Sequence, residues 1–295
     1  MITTIIGTGR IGKALEHLLA QAGQTPRMWD AVPEMPRTVE TLEEACKDAG
    51  IIILGTPSWA VREVVSEARE YAARDALFVI LSKGIEEDTQ KTMDLVMAEL
   101  MQDAQSFALL SGPTMAEEIM QDARAAAVVA SPNPDSFDRL QEAFAGSKLT
   151  LEFSDELRSV ALAAVLKNIY AMLLGISSAL EISGNAQGYL FVHIIKEMKI
   201  VIERLGGDPE QALSLAGLGD MVLTGFSPHS RNRASGKELV ADGKLSKKSE
   251  GFTALPSLVS LLDNDLEDLP LLQMLQSIVV DNVSAQEVME AYLDS

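Results

Sequence analysis

Cysteine occurs once in this chain, at Cys46, so no disulfide can form within it. A lone thiol fits a reducing compartment, and the cytoplasm is the expected location. Histidine is nearly as scarce. His17, His193 and His229 stand far apart without the spacing of metal ligands, each reads as structural or exposed, and no metal is expected. Basic residues are outnumbered, with 24 Lys and Arg against 43 Asp and Glu and a net charge of −19. Such a field repels nucleic acid and anionic membrane surfaces, neither of which is an expected partner. It also opposes an anionic ligand, so a site for one must carry its own cluster of positive charge.

Long apolar runs are few. Val160–Leu180 has the length and composition of a membrane span, but Lys167 and Asn168 break its centre, where lipid tolerates them poorly. The run reads as a buried helix of a soluble protein with two polar groups turned inward. Buried polar groups are costly unless paired or functional, so these two mark a site. No internal repeat or low-complexity segment is visible, and the first strand begins within a few residues of Met1, so no cleaved leader is expected.

What the chain does have is a globular composition, 47% hydrophobic and 23% charged, over a length sufficient for two domains. Its first half alternates β-type runs (Ile2–Ile6, Pro26–Trp29, Ile51–Leu54, Leu77–Leu81, Phe107–Leu110, Ala126–Ala130) with helical segments near Lys13–Gln21, Trp59–Tyr71, Lys91–Met101 and Met115–Met120. Thr150–Phe153 is a candidate last strand. This alternation predicts a doubly wound parallel sheet with helices on both faces, over residues 1–154. From about Asp155 the β-type runs stop. Long Ala, Leu, Ile and Met segments broken by Gly and Pro predict a smaller all-α domain over residues 155–295.

The first strand runs into Gly7-x-Gly9-x-x-Gly12 and then a helix. Glycines at this spacing permit a tight turn, close backbone approach to a pyrophosphate and tight helix–strand packing. The N–H groups and positive dipole end of the helix then hold the anion. This is the Rossmann-type dinucleotide fingerprint. Asp30 follows at about the distance where such units place an acidic residue on the adenosine ribose. A carboxylate there repels a 2′-phosphate and predicts NAD in preference to NADP. Arg27 and Arg37 lie close by and leave NADP possible. Ligands of such sheets lie at the carboxyl ends of the strands. Thr56-Pro57-Ser58, Ser82-Lys83-Gly84 and Ser111-Gly112-Pro113-Thr114 therefore should rim one crevice on the nicotinamide side.

Read in order, these residues resemble the NAD(P)-dependent glycerol-3-phosphate dehydrogenase family, over nearly the whole chain. The matching stretches are Gly7–Gly12, Ser82–Glu86, Ser111–Glu118, Leu166-Lys167-Asn168, Ala216–Asp220, Ser230–Arg233 and Glu250-Gly251. The resemblance implies a Rossmann domain followed by a helical domain that supplies the catalytic lysine. It implies reversible reduction of dihydroxyacetone phosphate to sn-glycerol 3-phosphate for glycerophospholipid synthesis. The long, apolar helical domain separately predicts that part of its surface is buried in a homodimer. Lys167 is the implied proton-exchanging residue, assisted by Lys83 and Asp220. Asn168 and Thr224 line the implied pocket. The resemblance also implies that Ser230, Arg231 and Asn232 hold the substrate phosphate alongside Gly112 and Thr114. Implied dinucleotide contacts are Gly7, Gly9, Arg10, Ile11, Gly12, Lys83, Ala116, Arg231 and Glu250.

The chemistry suits these residue types. As hydride reaches the ketone carbon, negative charge grows on its oxygen. A buried lysine stabilises that charge and gives up a proton, and a second lysine nearby eases the transfer. An arginine fork suits a phosphate. The chain departs from the family pattern at Arg10-Ile11, at Ala161, Ala163 and Ala164, and over residues 186–194. Two alternatives stay open. One is a dehydrogenase of another small phosphorylated or carboxylated hydroxy compound. The other is a catalytically weak dinucleotide-binding sensor.

Overall fold

The computed structural model describes residues 1–101 and 106–294. Two compact units divide the chain: Met1–Glu86 with Lys91–Leu157, and Glu87–Gln90 with Arg158–Ser295.

The first unit is an α/β layer structure. In chain order it comprises β1 (Thr3–Ile6), α1 (Arg10–Gln21), β2 (Arg27–Trp29), α2 (Leu42–Cys46), β3 (Ile51–Leu54), α3 (Val61–Tyr71) and β4 (Leu77–Ile80). After these come α4 (Met93–Leu100), β5 (Ser106–Ser111), α5 (Ala116–Ile119), β6 (Ala125–Ala130), α6 (Asp135–Ala143) and β7 (Leu149–Ser154). The seven strands form one sheet in the order β2-β1-β3-β4-β5-β6-β7. Every residue of β3 and β4 is buried, as expected of central strands covered on both faces. Ala14, Leu15, Leu18 and Leu19 place the apolar stripe of α1 against the sheet.

The expected sheet is Rossmann-type but not wholly parallel. The first five strands are parallel, whereas β6 runs antiparallel to β5, with Leu109 opposite Ala130 and Ser111 opposite Val128. The connection between them contains only the four-residue α5, too little to cross over the sheet and return in parallel. A full helix, α6, then restores a parallel crossover to β7. Two helices went unpredicted, α2 and α6. The first carried a legible signal, since Thr41 and Glu44 form a capping box at its start.

The second unit is helical: α7 (Leu157–Ala179), α8 (Gly184–Arg204), α9 (Asp220–Phe226), α10 (Arg231–Asp242), α11 (Glu250–Leu261), α12 (Pro270–Val279) and α13 (Ala285–Leu293). A 3-10 turn at Pro209–Leu213 and a π-helical turn at Leu215–Gly219 lead into α9. All residues of α7 from Ser159 to Ser177 are buried, so the long apolar run is the central helix of this unit. Its burial explains the absence of a polar face. Three of the other helices supply their own caps: Ser183, Ser230 and Ser284 each accept a backbone N–H in the first turn of α8, α10 and α13. At α12 the cap comes from elsewhere. The buried Glu197 of α8 accepts the N–H groups of Leu271 (2.6 Å) and Leu272 (3.1 Å) and the hydroxyl of Tyr170 (2.8 Å).

Candidate functional site

In the α/β unit the glycine turn has the geometry its sequence implies. Gly7 sits at φ +91°, in the region that favours glycine, and its N–H donates to Trp29 O at 2.9 Å. A side chain at Gly12 would collide with the carbonyl oxygen of Gly7, so the glycine lets α1 press against the turn. Gly9 differs. It is the N-cap of α1, no side chain caps that helix, and a Cβ added to it would meet nothing within 4 Å. The first-turn N–H groups of α1 therefore open onto unfilled space, an anion cradle of the kind a pyrophosphate occupies.

Asp30 follows β2. Its Oδ2 accepts the Thr8 N–H at 2.7 Å and its Oδ1 the Val32 N–H at 2.9 Å. The carboxylate thus clamps the glycine turn. Arg27 is committed elsewhere, donating to Glu44 O (3.0 Å) and Lys47 O (2.5 Å). Arg37 lies over the Trp29 ring at 6.0 Å, and its buried Nε has no acceptor among the described residues. Arg10 is exposed and paired with Glu117 at 2.5 Å, while Ile11 packs on the core.

At the carboxyl ends of the other strands, Ser82 donates to Thr56 O at 2.5 Å, next to the half-buried Lys83. Gly112 takes φ +150°, and Thr114 donates to its carbonyl at 3.2 Å. Ala116 opens α5. Two hydroxyls at these strand ends, Thr56 Oγ1 and Ser111 Oγ, are buried with no hydrogen-bond partner among the described residues. Buried polar atoms are rarely left so. With the uncapped α1, they fit a polar ligand such as a dinucleotide along this edge.

The helical unit holds a second cluster. Lys167, at mid-length in α7 and 6% exposed, donates to Thr224 Oγ1 at 2.8 Å and pairs with Asp220 Oδ2 at 3.1 Å. The Thr224 hydroxyl in turn donates to Asp220 Oδ1 at 3.2 Å. Asp220 and Thr224 share one face of α9 by their i, i+4 spacing, and the π-helical turn before α9 delivers Asp220 to its first residue. Asn168 Oδ1 accepts from Asn232 Nδ2 at 2.7 Å, and Asn232 Oδ1 accepts the Gly251 N–H at 2.9 Å. Ser230 caps α10, and the exposed Arg231 is that helix's first residue. Arg233 donates to Ser178 Oγ at 2.9 Å. Glu250 begins α11 and is half-buried.

The expected residues divide between the two units. Asp30, Lys83, Gly112, Thr114, Ala116 and the glycine turn belong to the α/β unit, and the remainder belong to the helical unit. Glu197 and Tyr170 were not anticipated. Burial pushes the Glu197 carboxyl up to about 7, against the opposing pull of its hydrogen bonds. Its only sequence signal was a carboxylate within the apolar part of α8.

Comparison with known proteins agrees across the length of the chain. The profile of the NAD-dependent glycerol-3-phosphate dehydrogenase N-terminus matches residues 31–137, and that of the C-terminus matches residues 156–290. Glycerol-3-phosphate dehydrogenase [NAD(P)+] of Pseudomonas aeruginosa is 30% identical, covering 97% of this chain and 92% of that protein. The Chlorobium phaeobacteroides enzyme of the same name is 29% identical over 97% and 95% of the two chains. The crystal structure of glycerol-3-phosphate dehydrogenase from Coxiella burnetii superposes with a TM-score of 0.88 at 25% identity, over 99% of this chain and 98% of that one.

Proposed function

We propose that this chain, which belongs to the NAD-dependent glycerol-3-phosphate dehydrogenase family, reduces dihydroxyacetone phosphate reversibly to sn-glycerol 3-phosphate. The observation that carries the reading is the buried Lys167–Asp220–Thr224 network: an ammonium beside a carboxylate, deep in an otherwise apolar helix. Nothing in packing calls for a charge there, since a well-packed apolar residue generally serves a core as well or better.

A nicotinamide dinucleotide, when bound, supplies the hydride. The glycine turn and α1 would hold its pyrophosphate. Lys167 stabilises the negative charge growing on the ketone oxygen and transfers a proton to it, so that hydride and proton together convert the ketone to the alcohol. Asp220 and Thr224 hold the Lys167 ammonium in one position. In the helical unit Asn168 donates to the substrate and Ser230, Arg231 and Asn232 bind its phosphate; in the α/β unit Gly112 and Thr114 are the residues assigned to that phosphate. The remaining assigned contacts are Lys83 and Ala116 in the α/β unit and Arg231 and Glu250 in the helical unit. Lys167 and Arg231 in the helical unit, and Lys83 in the α/β unit, are the positive charges assigned to the anionic ligands of a chain of net charge −19.

NAD and NADP are both within the reading. With Asp30 engaged by two backbone N–H groups and the Arg37 side chain held against Trp29, the expected preference for NAD rests on the carboxylate's charge alone. The protein acts in the cytoplasm, supplying glycerophospholipid synthesis. It acts as a homodimer, for which the exposed Tyr189, Val192, Val222 and Phe226 of the helical unit offer apolar surface.

The test is oxidation of NADH and of NADPH by the purified protein with dihydroxyacetone phosphate, beside Lys167→Ala. Turnover abolished by the substitution supports the reading. Turnover that survives it overturns the role of Lys167, and dinucleotide binding without turnover overturns the substrate.

A further inference from the structure

The helical unit contains a chain of amides whose direction is forced. The backbone N–H of Gly251 can only donate, and it meets Asn232 Oδ1 at 2.9 Å. This settles which end of the Asn232 amide is oxygen. Its nitrogen end then faces Asn168 and donates to Asn168 Oδ1 at 2.7 Å. The constraint passes on. With its oxygen committed to Asn232, Asn168 turns its Nδ2 the other way, where no acceptor meets it among the described residues. Both side chains are largely buried, at 4% and 8% exposure, so the order is set by these protein partners. A side chain at Gly251 would collide with the main-chain oxygen of Asn168, so only glycine brings that N–H close enough to start the chain.

We propose that Asn232 is a positioning residue: driven by the Gly251 N–H, it locks the Asn168 amide with its donor end toward the substrate oxygen. This rests on the function proposed above and adds a direction to it. During carbonyl reduction the reacting oxygen passes from ketone to alkoxide-like, and only donors stabilise that change. An unconstrained asparagine could present either end. Turned the wrong way, its oxygen would face the growing negative charge. The relay from α11 through α10 to α7 removes that choice before substrate arrives.

The decisive variant is Asn232→Asp, nearly isosteric but without a donor. Its carboxylate still accepts the Gly251 N–H and repels Asn168 Oδ1, so Asn168 turns and presents its oxygen to the site. The expected result is a fall in kcat of about 100-fold or more. Asn232→Ala, which merely frees Asn168, should fall less. A packing role predicts the opposite order, because Asp preserves the shape. A rise in KM with kcat intact would make Asn232 a phosphate contact only and overturn the proposal. If Asn232→Asp does not fold, Asn168→Asp serves the same purpose: it keeps the bond from Asn232 and turns an acceptor toward the substrate, and the same loss of kcat is expected.

Side-chain amide 15N–1H spectra decide the lock independently of turnover. In the ligand-free protein, Asn232→Asp should move the Asn168 Nδ2 resonances downfield. Glycerol 3-phosphate should shift them in the wild type but not in the variant. Resonances unmoved by Asn232→Asp overturn the lock even in an active enzyme. A lock seen in spectra of a protein that does not turn over dihydroxyacetone phosphate overturns the substrate reading instead.

Discussion

Replacing Asp220 by Asn should destabilise the helical unit strongly, and the size of the effect follows from burial. The Lys167 and Asp220 side chains are 7% and 3% exposed and lie 3.1 Å apart. At such a site desolvation costs each charge several kcal/mol, which mutual attraction largely offsets. Removing the carboxylate leaves the ammonium buried with a neutral neighbour, at a cost of about 3–5 kcal/mol. That corresponds to a fall in Tm of about 10 °C for a domain of this size. The double variant Lys167→Met, Asp220→Asn removes both charges and should recover most of the loss. The assay is urea unfolding followed by circular dichroism, with the wild type, both single variants and the double in one cycle. Strong non-additivity, with the double more stable than Asp220→Asn, is the expected signature. The reasoning is refuted if Asp220→Asn lies within about 1 kcal/mol of the wild type, or if the two losses simply add.

Three further outcomes are expected. Glu197 is raised from the ordinary carboxylate range to about 7 by burial, so the folded state binds its proton more tightly than the unfolded chain does. Its contribution to stability is therefore complete below about pH 4.5 and lost as pH rises through about 7, by roughly 3 kcal/mol at most; Glu197→Gln should flatten that part of the stability–pH curve. Cys46 is fully buried and its thiol is pushed up to about 12, chiefly by burial, so a thiol reagent at pH 8 should label it only after unfolding; stoichiometric labelling of the native protein would contradict its placement. Gly9→Ala has room for its methyl and should fold normally while weakening NADH binding, measured by fluorescence titration. Gly12→Ala collides with the Gly7 carbonyl and should lower Tm as well.

Much of the α/β unit was legible because its signals are local. Apolar runs such as Ile51–Leu54 and Leu77–Ile80 are too short for buried helices and are bounded by turn residues, and the glycine motif lies where a strand meets a helix. Strand direction was not local. Ala125–Ala130 reads as a strand whichever way it runs, and only the short connection through α5 reverses it. Asp30 was found by spacing. That its oxygens grip Thr8 and Val32 depended on how β2 lies beside β1, which no spacing records.

In the helical unit the sequence by itself determined that Lys167 and Asn168 were special, because polar groups in the middle of an apolar helix need a reason. It could not supply their partners. Asp220 and Thr224 lie more than fifty positions away and Asn232 sixty-four, and they meet α7 only when α9, α10 and α11 pack around it. Glu197 shows the same division, since its carboxylate caps a helix that begins seventy-three residues later. Periodicity, composition and turn chemistry act over a few residues and leave their mark in the chain. The direction of a hydrogen bond, the pairing of a buried charge and the capping of one helix by another arise only where distant segments exclude water together, and that is decided by the tertiary structure.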